Sequence, residues 1–143
     1  MQHCRRIGIT ALIAATALAA PAHAASIDVM VTGIPKDSGL LACSLHADPG
    51  GFPDGPGAAH AAASPHGGSA VCTFDGVAPG RYAVAVLHDA NANGRLDTNV
   101  LGMPQERWGI SVRPAPRLRP PRFDEAAFDM GDDPLRLQIK LRP

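Results

Sequence analysis

Arg81-Tyr82-Ala83-Val84-Ala85-Val86-Leu87-His88 decides the fold. Tyr82, Val84 and Val86 fall on one face of an extended chain, and Ala83, Ala85 and Leu87 on the other. Side chains alternate across a strand, so both faces of this one are apolar, which predicts a central strand covered on both sides. Pro79-Gly80 marks its start. Tyr82, next to that turn, is expected to place its hydroxyl on nearby backbone as a corner tyrosine.

Alternation recurs on both sides of this stretch. Ile27, Val29 and Val31 share a face within residues 26–33, and Leu41, Cys43 and Leu45 share one within residues 40–46. Residues 69–75 read as another strand. At the end, Leu135, Leu137, Ile139 and Leu141 alternate with Arg136, Gln138, Lys140 and Arg142, a strand with one wet face. Gly131-Asp132-Asp133-Pro134 is a turn, and residues 126–130 are expected to form a hairpin with that last strand. Residues 48–68, rich in Gly and Pro, read as a surface excursion with one short strand. No long segment has helical periodicity. The fold class is therefore all-β: an antiparallel β-sandwich of about seven strands, immunoglobulin/transthyretin-like, with one long functional loop.

Residues 1–24 read as a secretory signal peptide: Arg5 and Arg6, an uncharged apolar run from Ile7 to Ala20, then Ala22-His23-Ala24 as a small-x-small cleavage site. The run is shorter than the roughly 20 residues a span needs. The domain is then residues 25–143, with no transmembrane segment after cleavage and an exported, periplasmic or secreted destination. Loss of Arg5 and Arg6 leaves 11 basic against 13 acidic residues, a net charge of −2. That balance argues against general nucleic-acid binding, which needs a basic surface. Cys4 leaves with the leader. Cys43 and Cys72 remain, both in strand-like runs, and an oxidising compartment favours a disulfide between them over two buried thiols.

The central strand runs into His88-Asp89-Ala90-Asn91-Ala92-Asn93-Gly94-Arg95-Leu96-Asp97. Oxygen-bearing side chains at alternate positions, followed by glycine, form the first half of a calcium-loop pattern. The expected donors are Asp89, Asn91, Asn93, Asp97 and the carbonyl of Arg95. Val100 stands where a helix-loop-helix site has its bidentate glutamate, and the preceding segment is a strand, so this is not such a hand. Completion would fall to Asp97, Asn99 or Glu106. Asp, Asn and Gly also build metal-free turns in which side chains bond their own backbone, and that reading stands beside the Ca2+ one.

The run from Pro79 to Asp89, then Asn91, Asn93, Gly94, Asp97, Asn99, Gly102, Pro104, Glu106, Gly109 and Ser111, resembles a family of small exported bacterial proteins catalogued as a domain of unknown function. Pro121, Phe123, Ala126 and Phe128 continue the match. The resemblance implies a secreted β-sandwich and no established activity. Val112, Arg113 and Pro114 stand where that family tends to carry polar residues, often asparagine, and Trp108 is its aromatic before the glycine.

Other chemistry is thinner. His46 and His88 both end strands and could meet in space as a transition-metal pair. There is no nucleophile motif and no phosphate-cradling glycine loop, so an enzyme would have to use His88 with Asp89 or Glu106 as acid and base. Arg107, Arg113, Arg117, Arg119 and Arg122 are either a patch for an anionic partner or a solvated loop paired with Asp124, Glu125 and Asp129. The expected role is a non-enzymatic binding or accessory module for a cell-envelope ligand or protein, with residues 89–109, including His88, Asn99, Glu106 and Trp108 at or near the loop, as its working surface. The small enzyme is the runner-up.

Overall fold

The computed structural model describes residues 24–103 and 105–142. The expected leader, residues 1–24, lies outside them but for Ala24. Eight strands and one helical turn follow in order: β1 (Ala25–Thr32), β2 (Leu40–His46), β3 (Ala59–Ala63), β4 (Ser69–Val77), β5 (Gly80–Asp89), β6 (Trp108–Ile110), α1 (Phe123–Ala126), β7 (Phe128–Met130) and β8 (Leu135–Lys140). They form a β-sandwich. One sheet has the order β4-β1-β8 and the other β3-β2-β5-β6, with β7 joined to the start of β5.

Period-two alternation puts the core between the sheets. Ile27, Val29 and Val31 of β1 meet Leu41 and Leu45 of β2 and Val84 and Val86 of β5, all essentially without solvent contact. β5 is central, as its two apolar faces predict. Val84 and Val86 face the other sheet. Ala83 turns the opposite way, under Ile110, Ala115, Phe123 and Ala126 of the segment after β6. That segment is a lid of chain, and α1 is the turn that seats Phe123 and Ala126 on β5. Tyr82 donates its hydroxyl to the Ala78 carbonyl at 3.0 Å, the corner role expected of it.

Cys43 on β2 and Cys72 on β4 are bonded across the two sheets, at a sequence separation of 29. Closing a loop of that length stabilises by roughly 3–4 kcal/mol on the chain-entropy account. Both cysteines are buried, so the bridge also belongs to the core.

Two expectations fail. β7 does not pair with β8. It pairs antiparallel with β5, Tyr82 opposite Phe128, while β8 lies parallel to β1, Ile27 opposite Leu135 through Thr32 opposite Lys140. The turn at 131–134 thus carries the chain from one sheet to the other. Alternation fixes which face is buried but not which strand lies alongside. His46 and His88 also do not meet. β2 and β5 are antiparallel, with Leu41 opposite His88 and His46 opposite Ala83, so the two imidazoles sit at opposite ends of the pair.

The edges of the sheets meet at one seam. Trp108 and Arg142 exchange backbone hydrogen bonds, N–H to carbonyl, at 3.1 and 2.9 Å. Gly109 follows at the closest approach. A Cβ there would lie 2.7 Å from Ile139 Cγ2 and 3.2 Å from a Leu141 methyl. Both neighbours are themselves buried, so neither yields easily. Gly109→Ala is expected to cost about 1–3 kcal/mol, the usual range for overpacking. A urea unfolding curve with an unchanged midpoint would refute the close contact.

Candidate functional site

The 18 residues between β5 and β6 form the longest connection in the described chain. Loops of this length without secondary structure are uncommon and are usually functional. Two buried carboxylates hold this one. Asp89, the last residue of β5, accepts N–H groups from Asn93 at 3.0 Å and Gly94 at 2.6 Å. Glu106 reaches back from the far end of the loop. Its Oε1 accepts the Ala90 N–H at 2.9 Å and its Oε2 the Asp97 N–H at 3.1 Å. Asp89 is 3% exposed and Glu106 7%. A buried carboxylate is costly unless its oxygens receive donors, and bonds to an ionised acceptor are the stronger kind. The loop's own amides supply four.

Three further polar side chains, Asn91, Asn93 and Asp97, bond to one another. Asn91 and Asn93 donate their side-chain amides to the two oxygens of Asp97, at 2.7 and 2.9 Å. Asn91 Oδ1 accepts the Asn93 N–H and Asn93 Oδ1 accepts the Arg95 N–H, two successive Asx turns. Asn99 makes a second bend, its Oδ1 accepting from Leu101 and Met103. Gly94 and Gly102 take φ of 75° and 74°, a region that side chains avoid. The alternate spacing of Asp89, Asn91, Asn93 and Asp97 therefore does gather those side chains in one loop. Arg95 enters the network through its N–H and not through its guanidinium.

His88 is 1% exposed and donates Nε2–H to the Ser38 carbonyl at 2.8 Å. Ser38 lies in the β1–β2 turn, which packs on the end of β5 because residue 39 is glycine. A Cβ at Gly39, whose φ is 77°, would collide with the Asp89 carbonyl and the Ala90 backbone. Asp37 in the same turn accepts the N–H groups of Gly67 and Gly68, which hold its carboxyl below the usual range. Arg107 then ties the loop's end to β1 through the Gly33 carbonyl at 3.1 Å. Trp108 stands at the seam, half-buried, and not on the loop surface.

His88, Asp89 and Glu106 are thus enclosed and bonded to backbone rather than turned toward an open pocket. Among the described residues, every buried side-chain nitrogen and oxygen has a hydrogen-bond partner. No three His, Cys, Asp or Glu side chains of the described residues gather as a metal cluster. His46 packs edge-on against Phe52 and bonds Ser44 at 3.0 Å; burial lowers its pKa.

At its tip the loop also sends apolar side chains outward. Leu101 is 80% exposed, Val100 wholly so and Met103 half, side by side at the tip. Sequence reading missed these three, because Val100-Leu101-Gly102-Met103 looks like a core stretch until the loop's polar network is known. Glu106 was among the residues expected to complete the loop, but nothing in the sequence says which amides it reaches. The arginine segment divides. Arg119 forms a two-pronged pair with Glu125, which pulls that carboxyl down to about 2, whereas Arg113, Arg117 and Arg122 are exposed.

Fold and site together define a β-sandwich bearing one long loop pinned by its own buried carboxylates. The chain belongs to DUF2141, a family of uncharacterized proteins conserved in bacteria, whose profile matches residues 29–138. Neither the curated proteins nor the solved structures hold a match to it.

Proposed function

We propose that this chain is an exported, non-enzymatic binding or accessory module of the bacterial cell envelope, and that it engages its ligand or partner through the tip of the 90–107 loop. The observation that carries the reading is the contrast within that loop. Asp89, Asn91, Asn93, Asp97 and Glu106 are bonded to one another or to the loop's own backbone, and Val100, Leu101 and Met103 are left in solvent on that frame. Apolar groups held out by a rigid support are what recognition surfaces expose. Export is supported by the leader pattern and by the disulfide, which suits an oxidising compartment. Among the described residues no helix is long and apolar enough to cross a membrane. The rival reading, a small enzyme using His88 with Asp89 or Glu106, draws no support from groups enclosed in this way.

Photocrosslinking tests the reading. A photoreactive side chain at position 101 is expected to trap a discrete envelope component in cells. The same group at position 133, in the turn at the opposite end of the sandwich, is expected to trap none. No adduct from 101, or the same adduct from both positions, would refute the role of the tip.

A second reading concerns what steadies the loop. We infer that a hard cation such as Ca2+ binds weakly among Asp89, Asn91, Asn93, the Arg95 carbonyl and Asp97. The supporting observation is that Asn91 and Asn93 both turn onto the Asp97 carboxylate. With two carboxylates the affinity belongs near 10⁻⁴–10⁻³ M, on the order of extracellular modules. About tenfold excess over the dissociation constant then adds roughly 1.4 kcal/mol. A thermal melt should rise in roughly 10 mM Ca2+, at about ten times the upper end of that range, fall back with chelator, and lose the response in Asp89→Ala. An unchanged melt would leave the loop to its Asx turns alone.

A further inference from the structure

Beside the Trp108–Arg142 bridge the edges of β6 and β8 part, leaving a cleft of about 240 Å³. Its charged lining is entirely basic: Arg113, Lys140 and Arg142. Ile110, Val112 and Ile139 form the apolar wall between them. Three cations elsewhere in the molecule find acids. Arg81 pairs with Asp129, Arg119 with Glu125 and Arg136 with Asp28. Among the described residues, none of the three cleft cations has an ion-pair partner. Three like charges around one small space repel one another, so the cleft favours an anion.

The backbone at its lip gives a second, independent sign. Arg113 donates its N–H to the Ser111 carbonyl at 2.8 Å, closing a three-residue turn around Val112, whose φ is 67°. That is the positive-φ form of the γ-turn, rare and strained, and a β-branched residue is the least suited to it. The strain is held by Ser111, fully buried, which accepts the Val84 N–H at 2.9 Å and donates to the Ala126 carbonyl. Strain of this kind persists where the surroundings fix it, and often at ligand clamps. Here it sets both Val112 and Arg113 against the cleft.

We propose that this cleft is a binding site for a phosphate group that carries a short apolar arm. Two guanidinium forks and an ammonium match the several oxygens of a phosphate better than the two of a carboxylate. The volume is below the roughly 300–1,000 Å³ of sites for drug-sized ligands, so it admits a headgroup-sized portion and no more. The phosphate could be free in solution or part of a lipid headgroup.

The test uses the chain from residue 25, at low ionic strength, with amide chemical shifts followed by NMR. Inorganic phosphate is one probe. Phosphatidylcholine vesicles with and without phosphatidylglycerol, assayed by cosedimentation, are the other. Saturable shifts at residues 110–113 and 138–142 with phosphate would assign the site to soluble phosphates. Sedimentation that requires phosphatidylglycerol would assign it to a lipid headgroup. In either case Arg113→Gln with Arg142→Gln is expected to weaken binding at least tenfold, and Lys140→Gln alone several-fold. Lys36→Gln with Arg117→Gln removes the same charge outside the cleft and should change binding less than twofold. Absence of binding to both probes, or an equal loss in the charge-matched control, would overturn the proposal.

Discussion

A carboxylate taken out of water needs donors, and Asp89 and Glu106 find theirs in the backbone of a single loop. Much else follows from that constraint. Fixing the backbone of each residue costs about 1–2 kcal/mol, so 18 residues without strand or helix would not hold one shape unaided. Charge-assisted bonds to four amides, with the Asx turns of Asn91 and Asn93, set against that cost an organised polar interior. Glu106 has the further effect of closing the loop upon itself. One oxygen takes the amide at its start and the other takes one at its middle. The chain is thereby returned to β6 in register with β5, and the seam at Trp108 and Gly109 can form.

The same constraint explains why the apolar residues of the loop are outside. With the interior filled by carboxylates and amides, Val100, Leu101 and Met103 have no core to enter. Rigid support and exposed apolar tip are two sides of one arrangement. The imidazole of His88, anchored on Ser38, and the glycine at position 39 extend it to the β1–β2 turn. The cleft between β6 and β8 sits on the other side of the seam and uses a different device, a strained turn braced by Ser111.

Much of the fold was legible in the sequence. Ile27, Val29 and Val31, the paired faces of residues 81–88, and Leu135 to Leu141 declared their strands through period-two alternation alone. Cys43 and Cys72 fell in strand-like runs and are bonded. Partnership was harder. The half-wet pattern of β8 is the same whether its neighbour is β7 or β1, and only the three-dimensional path separates them. For the loop, alternate Asp and Asn spacing correctly gathered residues 89–97, because local side-chain bonds have local signatures. Glu106 and Gly39 left no such mark, since their roles depend on atoms brought from elsewhere in the chain.

The central claim is that Asp89 and Glu106 fix the loop through named amides, and hydrogen exchange resolved by residue tests it most directly. The amides of Ala90, Asn93, Gly94 and Asp97 are expected to exchange at least tenfold more slowly than that of Val100 at the tip, after correction for intrinsic rates. In Glu106→Gln, Ala90 and Asp97 should lose most of that protection while the strands keep theirs. Exchange at all four positions as fast as at Val100 would contradict the account.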